Sequence, residues 1–462
     1  MLADVLSERG DPRGELIVVQ CELARLPRHD PRRHDLRARE RDLLHAHAAA
    51  WLPSPRYRLH RGFPERASVP AGGSVDELDE PMLRDLELRR FGGVYHLASL
   101  PVAARLATLR LVNPTSAAMS ALGDVSLPAL RELSIQTVFE DDEPPLVNTK
   151  YLVKTLAAMA PLTRLALGGG AFEEPGLRVV AAAALPALVS LALSDEDFTP
   201  RDVAALARTA AWENLGELVL ARCRLGDDGA EALARLAPPR LERLVVDGNG
   251  IGPRGARALA GLRVRELRVS GNPLGDAGLA ALCEGLDELR ILGAAETQAG
   301  AAGVAALGRA PFFRGLVELD LGENPMGERG GRELPAPPSL VALRLAGTGL
   351  GDAFVTLVAG RLPSLRCLDV AACGLDAPAL EALAGRQLHE LRLADNELGD
   401  DGVAAIAGLG VQVLDLANTG LGERGLRRLL GDARFAGLRA LEVGRNRLTA
   451  ALTDEVRARF RA

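Results

Sequence analysis

Charged residues recur along the chain at intervals of about 25 residues. One series alternates largely between arginine and aspartate: Arg268, Arg290, Asp320, Arg344, Asp369, Arg392, Asp415 and Glu442. A second series lies two residues ahead of the first and consists of glutamates: Glu132, Glu217, Glu266, Glu288, Glu318 and Glu390. Guanidinium and carboxylate groups in such rows form ion pairs with each other or recognise a charged partner. The chemistry that this spacing favours is therefore charge recognition.

A repeated segment positions these residues. Its pattern, Leu-x-x-Leu-x-Leu-x-x-Asn, is clearest where it ends at Asn249, Asn272, Asn324, Asn396 and Asn446. We number the pattern 1 to 9, so that the glutamates occupy position 3 and the alternating charges occupy position 5. The pattern predicts about fifteen copies, with position 1 at residues 83, 106, 130, 162, 188, 215, 241, 264, 286, 316, 340, 365, 388, 411 and 438.

Each copy predicts one strand and one helix. Leucines at positions 1, 4 and 6 point into a core, the Asn side chain bonds backbone groups of the turn, and the next apolar run forms a helix. We expect Asp227, Asp276 and Asp400 to cap the helices of their own copies. Because one copy cannot bury its own apolar face, the copies stack. The predicted fold class is an α/β solenoid, a horseshoe with a parallel inner sheet and outer helices.

The first part of the chain lacks the repeat pattern and carries helix signals instead. Asp11-Pro12 and Asp30-Pro31 each place an N-cap residue before a proline at the first helical position. These signals predict a helical module over residues 1–57. Residues 58–82 are predicted to be a connector, and residues 83–462 the repeat array.

The copy that begins Leu388-His-Glu-Leu-Arg-Leu-Ala-Asp-Asn resembles the ribonuclease-inhibitor-like class of leucine-rich repeats. In that class position 9 accepts Asn, Cys or Thr, and Cys223, Cys373, Thr348 and Thr419 occupy it here. The segment Glu8-Arg-Gly-Asp-Pro-Arg-Gly-Glu-Leu is similar to the repeat-companion module found ahead of bacterial leucine-rich repeat arrays. Together the resemblances imply a bacterial leucine-rich repeat protein with a role in protein binding.

The inner face of the predicted sheet is the usual binding surface of such solenoids. Neighbouring parallel strands lie about 4.8 Å apart, so the position 5 residues should form a ladder of opposite charges. Two interpretations stay open: the ladder neutralises itself through weak ion pairs, or it sets the register of a bound partner. Position 7 is mostly small, which leaves a lane for close approach: Ala221, Ser270, Gly322, Ala346, Ala371, Ala394, Ala417 and Gly444.

Other chemistry finds little support in the sequence. The net charge of −6 does not favour binding to nucleic acid or to an anionic membrane, both of which require clustered Lys and Arg. Gly168-Gly169-Gly170 lacks the lysine of a phosphate loop. His29, His34, His45 and His47 could bind a metal, and the acidic segment 140–143 could bind calcium or a basic partner, but solvated surfaces are the favoured interpretation of both. No catalytic residues, metal or cofactor are expected.

The aromatic residues are expected to fill the core. The chain has only 2 Trp, 3 Tyr and 10 Phe. Trp212, Phe313 and Phe435 each precede a strand by the same spacing, which indicates equivalent core positions. The inner face is thus predicted to lack the aromatic anchors that dominate tight interfaces.

The preferred hypothesis is a non-enzymatic scaffold that binds an unknown protein partner through the concave inner face. Asp4, Glu8 and Arg9 are unlike a secretory signal, and no stretch reaches the ~18 apolar residues of a membrane span. With scattered cysteines, this predicts a cytoplasmic monomer without membrane or nucleic-acid partners. The alternatives are a regulator that activates a small GTPase and a structural protein without a stable partner.

Overall fold

The protein is described by a computed structural model covering residues 2–26, 30, 32–52, 54, 56–60, 63–71, 73–75, 78, 80–90, 97, 100–138, 147–159, 161–169, 172–358 and 362–460, with backbone alone at positions 2 and 356. The chain divides into two compact units. Unit 1 comprises Met1–Arg25 and Ala46–Gly250, and unit 2 comprises Leu26–His45 and Ile251–Ala462. Each unit contains a parallel sheet with a helix or turn after each strand.

Unit 1 begins with helices, and its strands then follow one another in chain order. The first helices are α1 (Leu2–Glu8), α2 (Arg13–Arg25) and α3 (Arg32–Trp51), of which residues 32–45 belong to unit 2. The strands are β1 (Tyr57–His60), β2 (Phe63–Val69), β3 (Asp85–Arg89), β4 (Thr108–Val112), β5 (Glu132–Gln136), β6 (Arg164–Gly168), β7 (Ser190–Ser194), β8 (Glu217–Ala221) and β9 (Arg243–Val245). The further helices are α4 (Ser116–Leu122), α5 (Thr149–Ala158), α6 (Gly176–Ala183), α7 (Pro200–Leu206) and α8 (Gly226–Leu236), with 3-10 turns at Ala103–Arg105 and Trp212–Asn214. β1 and β2 are antiparallel, and β2 to β9 pair in parallel.

Unit 2 has shorter strands in the same parallel arrangement. They are β10 (Glu266–Arg268), β11 (Ile291–Gly293), β12 (Glu318–Asp320), β13 (Ala342–Arg344), β14 (Cys367–Asp369), β15 (Glu390–Arg392), β16 (Val413–Asp415) and β17 (Ala440–Glu442). The helices are α9 (Pro253–Leu259), α10 (Gly275–Gly285), α11 (Ala301–Ala306), α12 (Gly327–Glu333), α13 (Ala353–Val358), α14 (Asp401–Ile406), α15 (Glu423–Gly431) and α16 (Ala450–Arg459). 3-10 turns lie at Leu307–Arg309, Phe313–Gly315, Pro378–Leu383 and Ala433–Phe435.

The predicted register is confirmed for every copy except the one placed at residue 286. Strands β3 to β10 and β12 to β17 each begin at the predicted position 3. In the exceptional copy, Ile291 pairs with Glu266 and Gly293 pairs with Asp320, so position 1 is Leu289. The prediction for this copy was therefore wrong by three residues. A shift of three residues still places leucines at positions 1 and 4, so the pattern alone did not resolve the register of this copy.

An Asn at position 9 ties its copy to the one before it. Asn324 is buried, and its Oδ1 accepts hydrogen bonds from the backbone N–H groups of Thr297 at 2.9 Å and Ala299 at 3.0 Å. Its Nδ2 donates to the carbonyl oxygens of Ala294 and Leu321, both at 2.8 Å. The predicted role of Asn is confirmed, and it extends beyond its own turn to the preceding copy.

Shorter side chains at position 9 replace part of this role. The hydroxyl of Thr348 donates to the carbonyl of Leu345, and the hydroxyl of Thr419 donates to that of Leu416. The thiol of Cys373 donates to Leu345 as well, 3.0 Å away. These buried positions confirm the expected exchange of Asn for Thr or Cys.

The predicted helix caps need a correction. Asp276 lies in the first turn of α10, and its carboxylate accepts the N–H groups of Gly300 and Gly303 at the start of α11. Asp400 occupies the N-cap position of α14 as predicted, but its carboxylate accepts the N–H of Gly422, which precedes α15. These aspartates thus cap the helix of the following copy, because the helices stack side by side. Asp227 lies within the first turn of α8, whose N-cap residue is Leu225.

The N-terminal segment is helical, as predicted. Leu16, Val19 and Leu23 form the buried side of α2. The predicted connector at 58–82 differs in detail, because it contains β2, which pairs with β3. The aromatic predictions are confirmed for the buried Trp212 and Phe435, while Phe312 rather than Phe313 is buried before β12.

No helix in the described part of the chain has both the length and the apolar character needed to cross a membrane.

Candidate functional site

The charged row at position 5 is aligned across the sheet of unit 2. We call the face of each sheet that carries positions 3, 5 and 7 its inner face. Asp320 pairs with Arg344, Arg344 with Asp369, and Asp369 with Arg392 in the strand register. Asp415 and Glu442 continue the row on β16 and β17. The predicted alternation of charge from β12 to β16 is therefore confirmed.

The ion pairs within this row differ from the predicted ladder. Nε of Arg392 lies 2.8 Å from Oε1 of Glu390, two residues earlier on the same strand. Arg268 pairs with Glu266 in the same way at 2.9 Å. Nη1 of Arg344 lies 3.9 Å from Oε2 of Glu318 on the neighbouring strand. The arginines thus turn toward position 3 instead of the adjacent aspartates.

The aspartates of the row bond to their own strands. Their Oδ1 atoms accept the backbone N–H two residues later: Asp320 from Gly322 at 3.1 Å, Asp369 from Ala371 at 3.2 Å, and Asp415 from Ala417 at 2.9 Å. The pKa of Asp369 is raised because burial outweighs the attraction of Arg392 and Arg344. For Arg392, burial lowers the pKa, but the charges of Glu390, Asp369 and Asp415 outweigh it and the net pKa is raised.

The inner face of unit 1 pairs its charges across strands. Glu217, at position 3 of β8, accepts from Nη1 of Arg243 on β9 at 2.6 Å. It also accepts from Oγ of Ser190 on β7 at 3.0 Å and from Nη1 of Arg164 on β6 at 3.3 Å. One carboxylate therefore links four consecutive strands.

A segment of α3, residues 32–45, lies against the inner face of unit 2. His34 bridges two strands, because its Nε2 lies 3.2 Å from Oε1 of Glu318 and its Nδ1 lies 3.4 Å from Sγ of Cys367.

Two further contacts follow along the helix. Oδ1 of Asp35 lies 3.4 Å from Nδ1 of His389, and Oδ1 of Asp42 lies 3.1 Å from Nε of Arg439. All four repeat residues in these contacts occupy position 2 or 3. We call the surface at positions 2 and 3 of β12 to β17 the α3 lane.

These contacts change the electrostatics of the α3 lane. Burial raises the pKa of Glu318, but the hydrogen bond and charge of His34 outweigh it, so the net pKa is lowered. Burial lowers the pKa of His389 despite the nearby carboxylate of Asp35. Burial also raises the pKa of Cys367 to about 12.

Cys367, His34 and Glu318 stand in the order of a nucleophile, a base and an orienting carboxylate. The arrangement does not activate the thiol, because the thiolate is the reactive form and a pKa of about 12 leaves almost none of it at neutral pH. The contact joins α3 to β14. No sequence pattern indicates this contact, since 333 residues separate the thiol from the imidazole.

The remaining predicted residues are placed as follows. Arg290 is not in the charged row as predicted, because Gly293 occupies position 5 in its copy. Its Nη1 donates to the carbonyl of Gly315 at 2.9 Å, beside a cavity of about 650 Å³. Glu288, assigned to position 3, precedes that strand.

The histidine cluster does not assemble as a site. His45 is exposed, and His47 stacks on Trp51 with 5.1 Å between ring centroids. His29 and the acidic segment 140–143 lie outside the described residues. Among the residues that are described, no group of three or more His, Cys, Asp or Glu side chains is arranged to hold a metal ion.

Comparison with known proteins supports this account of the repeats. The family model described as Leucine Rich repeat matches residues 213–234, 239–260, 264–283 and 386–407. The ribonuclease inhibitor of Sus scrofa is 33% identical over 228 residues, which cover 45% of this chain and 44% of that protein. The fold is a leucine-rich repeat solenoid. Its repeats are similar in sequence to the matched part of the ribonuclease inhibitor, and the match spans less than half of that relative.

The fold is similar to that of a solved structure with a TM-score above 0.5. A chain of the yeast Rad7–Elc1 complex has a TM-score of 0.52 and 19% identity, covering 75% of this chain and 83% of that one. A chain of the mouse RP105/MD-1 complex has a TM-score of 0.43 and 16% identity, with coverage of 83% and 69%.

Proposed function

We propose that the protein is a non-enzymatic scaffold that binds a protein partner through the inner face of unit 2. The observation that carries the proposal is the aligned row of charges at position 5. Asp320, Arg344, Asp369 and Asp415 are half-buried, and Arg392 is exposed. A partner with complementary charges is repelled when it is shifted by one strand, because like charges then face each other, so the pattern supplies specificity.

The neighbouring position 7 supports close approach. Ala346, Ala371 and Ala417 are half-buried side chains of minimal size. A partner backbone or short side chain can therefore reach the floor beside the charged row. The row and the small residues together define a surface for polar and shape-based recognition, where Arg is well suited to pair with carboxylates.

The matched relative adds support from its name alone. A ribonuclease inhibitor acts on another protein, and the matched region is built from the same repeats. Since the match spans less than half of either chain, the identity of the partner is not carried over.

The proposal also covers the setting of the protein. We place it in a bacterial cytoplasm as a monomer, with the N-terminal helices forming a repeat-companion module. The support is the five free cysteines, which suit a reducing compartment. Sedimentation velocity on the full chain tests the monomer, and a concentration-dependent dimer peak contradicts it.

The test of partner binding is charge reversal in the position 5 row. Arg344→Glu and Asp369→Arg are each compared with the unmodified chain by affinity capture and quantitative mass spectrometry. We expect each reversal to reduce the captured partner about tenfold, because like charges then face each other across the interface. The matched control is Arg457→Glu on α16, where the side chain is exposed.

Thermal unfolding verifies that all three variants keep the fold. Unchanged amounts of the same captured proteins for both reversals contradict the proposal. Loss of capture with Arg457→Glu as well shows an effect of net charge and also counts against it.

A further inference from the structure

We propose that the α3 lane is a binding site for a helix with acidic residues on its contact face, that residues 32–45 are its resident occupant, and that the partner's helix exchanges with them. This inference rests on the proposed function, because it describes how the partner reaches the inner face of unit 2.

The residues of α3 that reach the lane lie on one side of the helix. His34, Ala38 and Asp42 are spaced by four, and Asp35 precedes Asp42 by seven residues. Ala38 is buried between the two contacting ends of this stripe. The segment therefore presents a short side chain in the centre and polar side chains at both ends.

The lane offers a matching surface. Ala342, at position 3 of β13, is 0% exposed, although position 3 points away from the core of the repeats. Val317 and Val341, at position 2 of their copies, are also buried. The lane therefore contains buried apolar side chains as well as Glu318 and Glu390.

Charge favours acidic residues on the contact face of a helix in this lane. Position 2 of the lane carries Arg366, His389 and Arg439, while position 3 carries Glu318 and Glu390. Asp35 and Asp42 of α3 pair with His389 and Arg439. The preferred occupant is therefore a helix with carboxylates on its contact face and a small residue at its centre.

Two of the contacts that hold the resident helix are partly exposed to solvent. The side chain of Asp35 is 63% exposed and that of Arg439 is 46% exposed, whereas those of His34 and Glu318 are only 11% and 13% exposed. Exposed ion pairs of this kind contribute little to stability. A partner helix with the same pattern can replace the contacts one for one.

Cys367 provides a direct readout, because its thiol lies against His34. In a Cys21→Ser background the remaining cysteines, at 223, 283 and 373, are buried. The full chain is treated with iodoacetamide, and modification of Cys367 is followed by mass spectrometry. We expect Asp35→Arg with Asp42→Arg to accelerate it about tenfold, since repulsion from His389 and Arg439 releases the helix.

The matched control is Glu328→Arg with Asp454→Arg, which makes the same charge change at exposed positions of α12 and α16. The control is expected to label at the unmodified rate. An unchanged rate in the Asp35 and Asp42 variant overturns the proposal, because the helix then does not depend on these contacts.

A stapled helical peptide of residues 32–45 tests the binding chemistry. Added in excess, it should return the labelling of the Asp35 and Asp42 variant to the slow rate, while a peptide carrying the same two substitutions should not. Failure of the unmodified peptide to protect Cys367 overturns the assignment of the lane to helices.

Partner capture separates this inference from the proposed function. We expect the Asp35 and Asp42 variant to capture several-fold more partner than the unmodified chain. If it captures the same amount while Arg344→Glu still abolishes capture, exchange is overturned and the proposed function stands. If Cys367 and the peptide behave as expected but Arg344→Glu has no effect on capture, the proposed function fails and the helix site stands.

Discussion

Glu217 in unit 1 and the arginines Arg268 and Arg392 in unit 2 pair their charges in different ways. In unit 1, Glu217 joins charges and hydroxyls from four strands, so its partners lie across the sheet. In unit 2, Arg268 and Arg392 pair within their own strands. The charges on an inner face can thus be satisfied by cross-strand pairs, or they can remain half-exposed beside a helix. The second arrangement keeps a surface that another molecule can meet.

Position 9 shows a second difference between the units. In unit 2 it holds Asn, Thr or Cys in every copy, and the Asn residues bond the copy before them. In the earlier copies of unit 1 it holds Pro114, Val138 and Glu196. Unit 2 therefore has the more regular polar connection between copies.

The largest expected effect tests that connection. Asn324→Ala removes the acceptor for two buried backbone N–H groups, at Thr297 and Ala299. We expect a loss of about 3–5 kcal/mol in the free energy of unfolding, since each buried unpaired group is unfavourable by about 1–3 kcal/mol. Urea denaturation measures the loss, and hydrogen exchange should locate it in β11 and β12. Thr348→Val, which removes one hydroxyl bond, is the smaller control; equal effects contradict the prediction.

Glu196 gives the corresponding test in unit 1. Burial raises the pKa of its carboxyl from 4.5 to about 7. At pH 4 both the folded and unfolded states carry the proton. As the pH rises to 7 only the unfolded state ionises, so the folded chain loses about 3 kcal/mol of stability.

Glu196→Gln removes this ionisation. We expect no change in the free energy of unfolding near pH 4 and a gain of about 3 kcal/mol at pH 8, measured by urea denaturation at each pH. The adjacent Asp195 has a lowered pKa because Arg222 donates a hydrogen bond to it. Asp195→Asn should therefore lose stability at neutral pH and lose little at low pH. The same pH dependence for both variants contradicts this account.

A paired substitution compares the two inner faces directly. Glu217→Gln in unit 1 should reduce the free energy of unfolding by about 1–2 kcal/mol, because it weakens a half-buried group with three partners. Glu390→Gln in unit 2 should reduce it by less than about 0.5 kcal/mol, because its pair with Arg392 is exposed. Thermal and urea unfolding measure both, and equal losses remove the distinction between the faces.

The smallest expected effect concerns the caps between copies. Asp276→Ala leaves the N–H groups of Gly300 and Gly303 without their acceptor. We expect a loss of about 1 kcal/mol, with faster hydrogen exchange at the start of α11. Glu284→Ala, at an exposed position of α10, serves as the control. Faster exchange confined to α10 contradicts capping of the following copy.

Most of the fold was predictable because its information is local. Leucines at positions 1, 4 and 6 fix the register, and this held even where position 9 was Pro114 or Val138. The copy at β11 failed because Leu286, Leu289 and Leu292 fit the pattern in two ways. Thr297 at position 9 was the available clue, since Thr occupies that position in other copies.

The candidate site was predictable only in part. The strand register placed the position 5 row correctly from β12 to β17, because side chains alternate faces along a strand. The ion pairs of its arginines could not be predicted, because position 3 of the same strand and residues of the adjacent strand compete for each guanidinium. The contacts of His34, Asp35 and Asp42 could not be found, because periodicity records neighbours along the chain and these partners are remote in sequence.

That remoteness has a consequence for how the protein is made. Residues 284 and 397 positions apart meet when His34 contacts Glu318 and Asp42 contacts Arg439. During synthesis α3 leaves the ribosome long before β12 to β17 exist, so its charged face stays in water until the last copies have formed. Contacts of such sequence separation form slowly. The docking of this helix is thus a late folding step, because it requires that β12 to β17 have already formed.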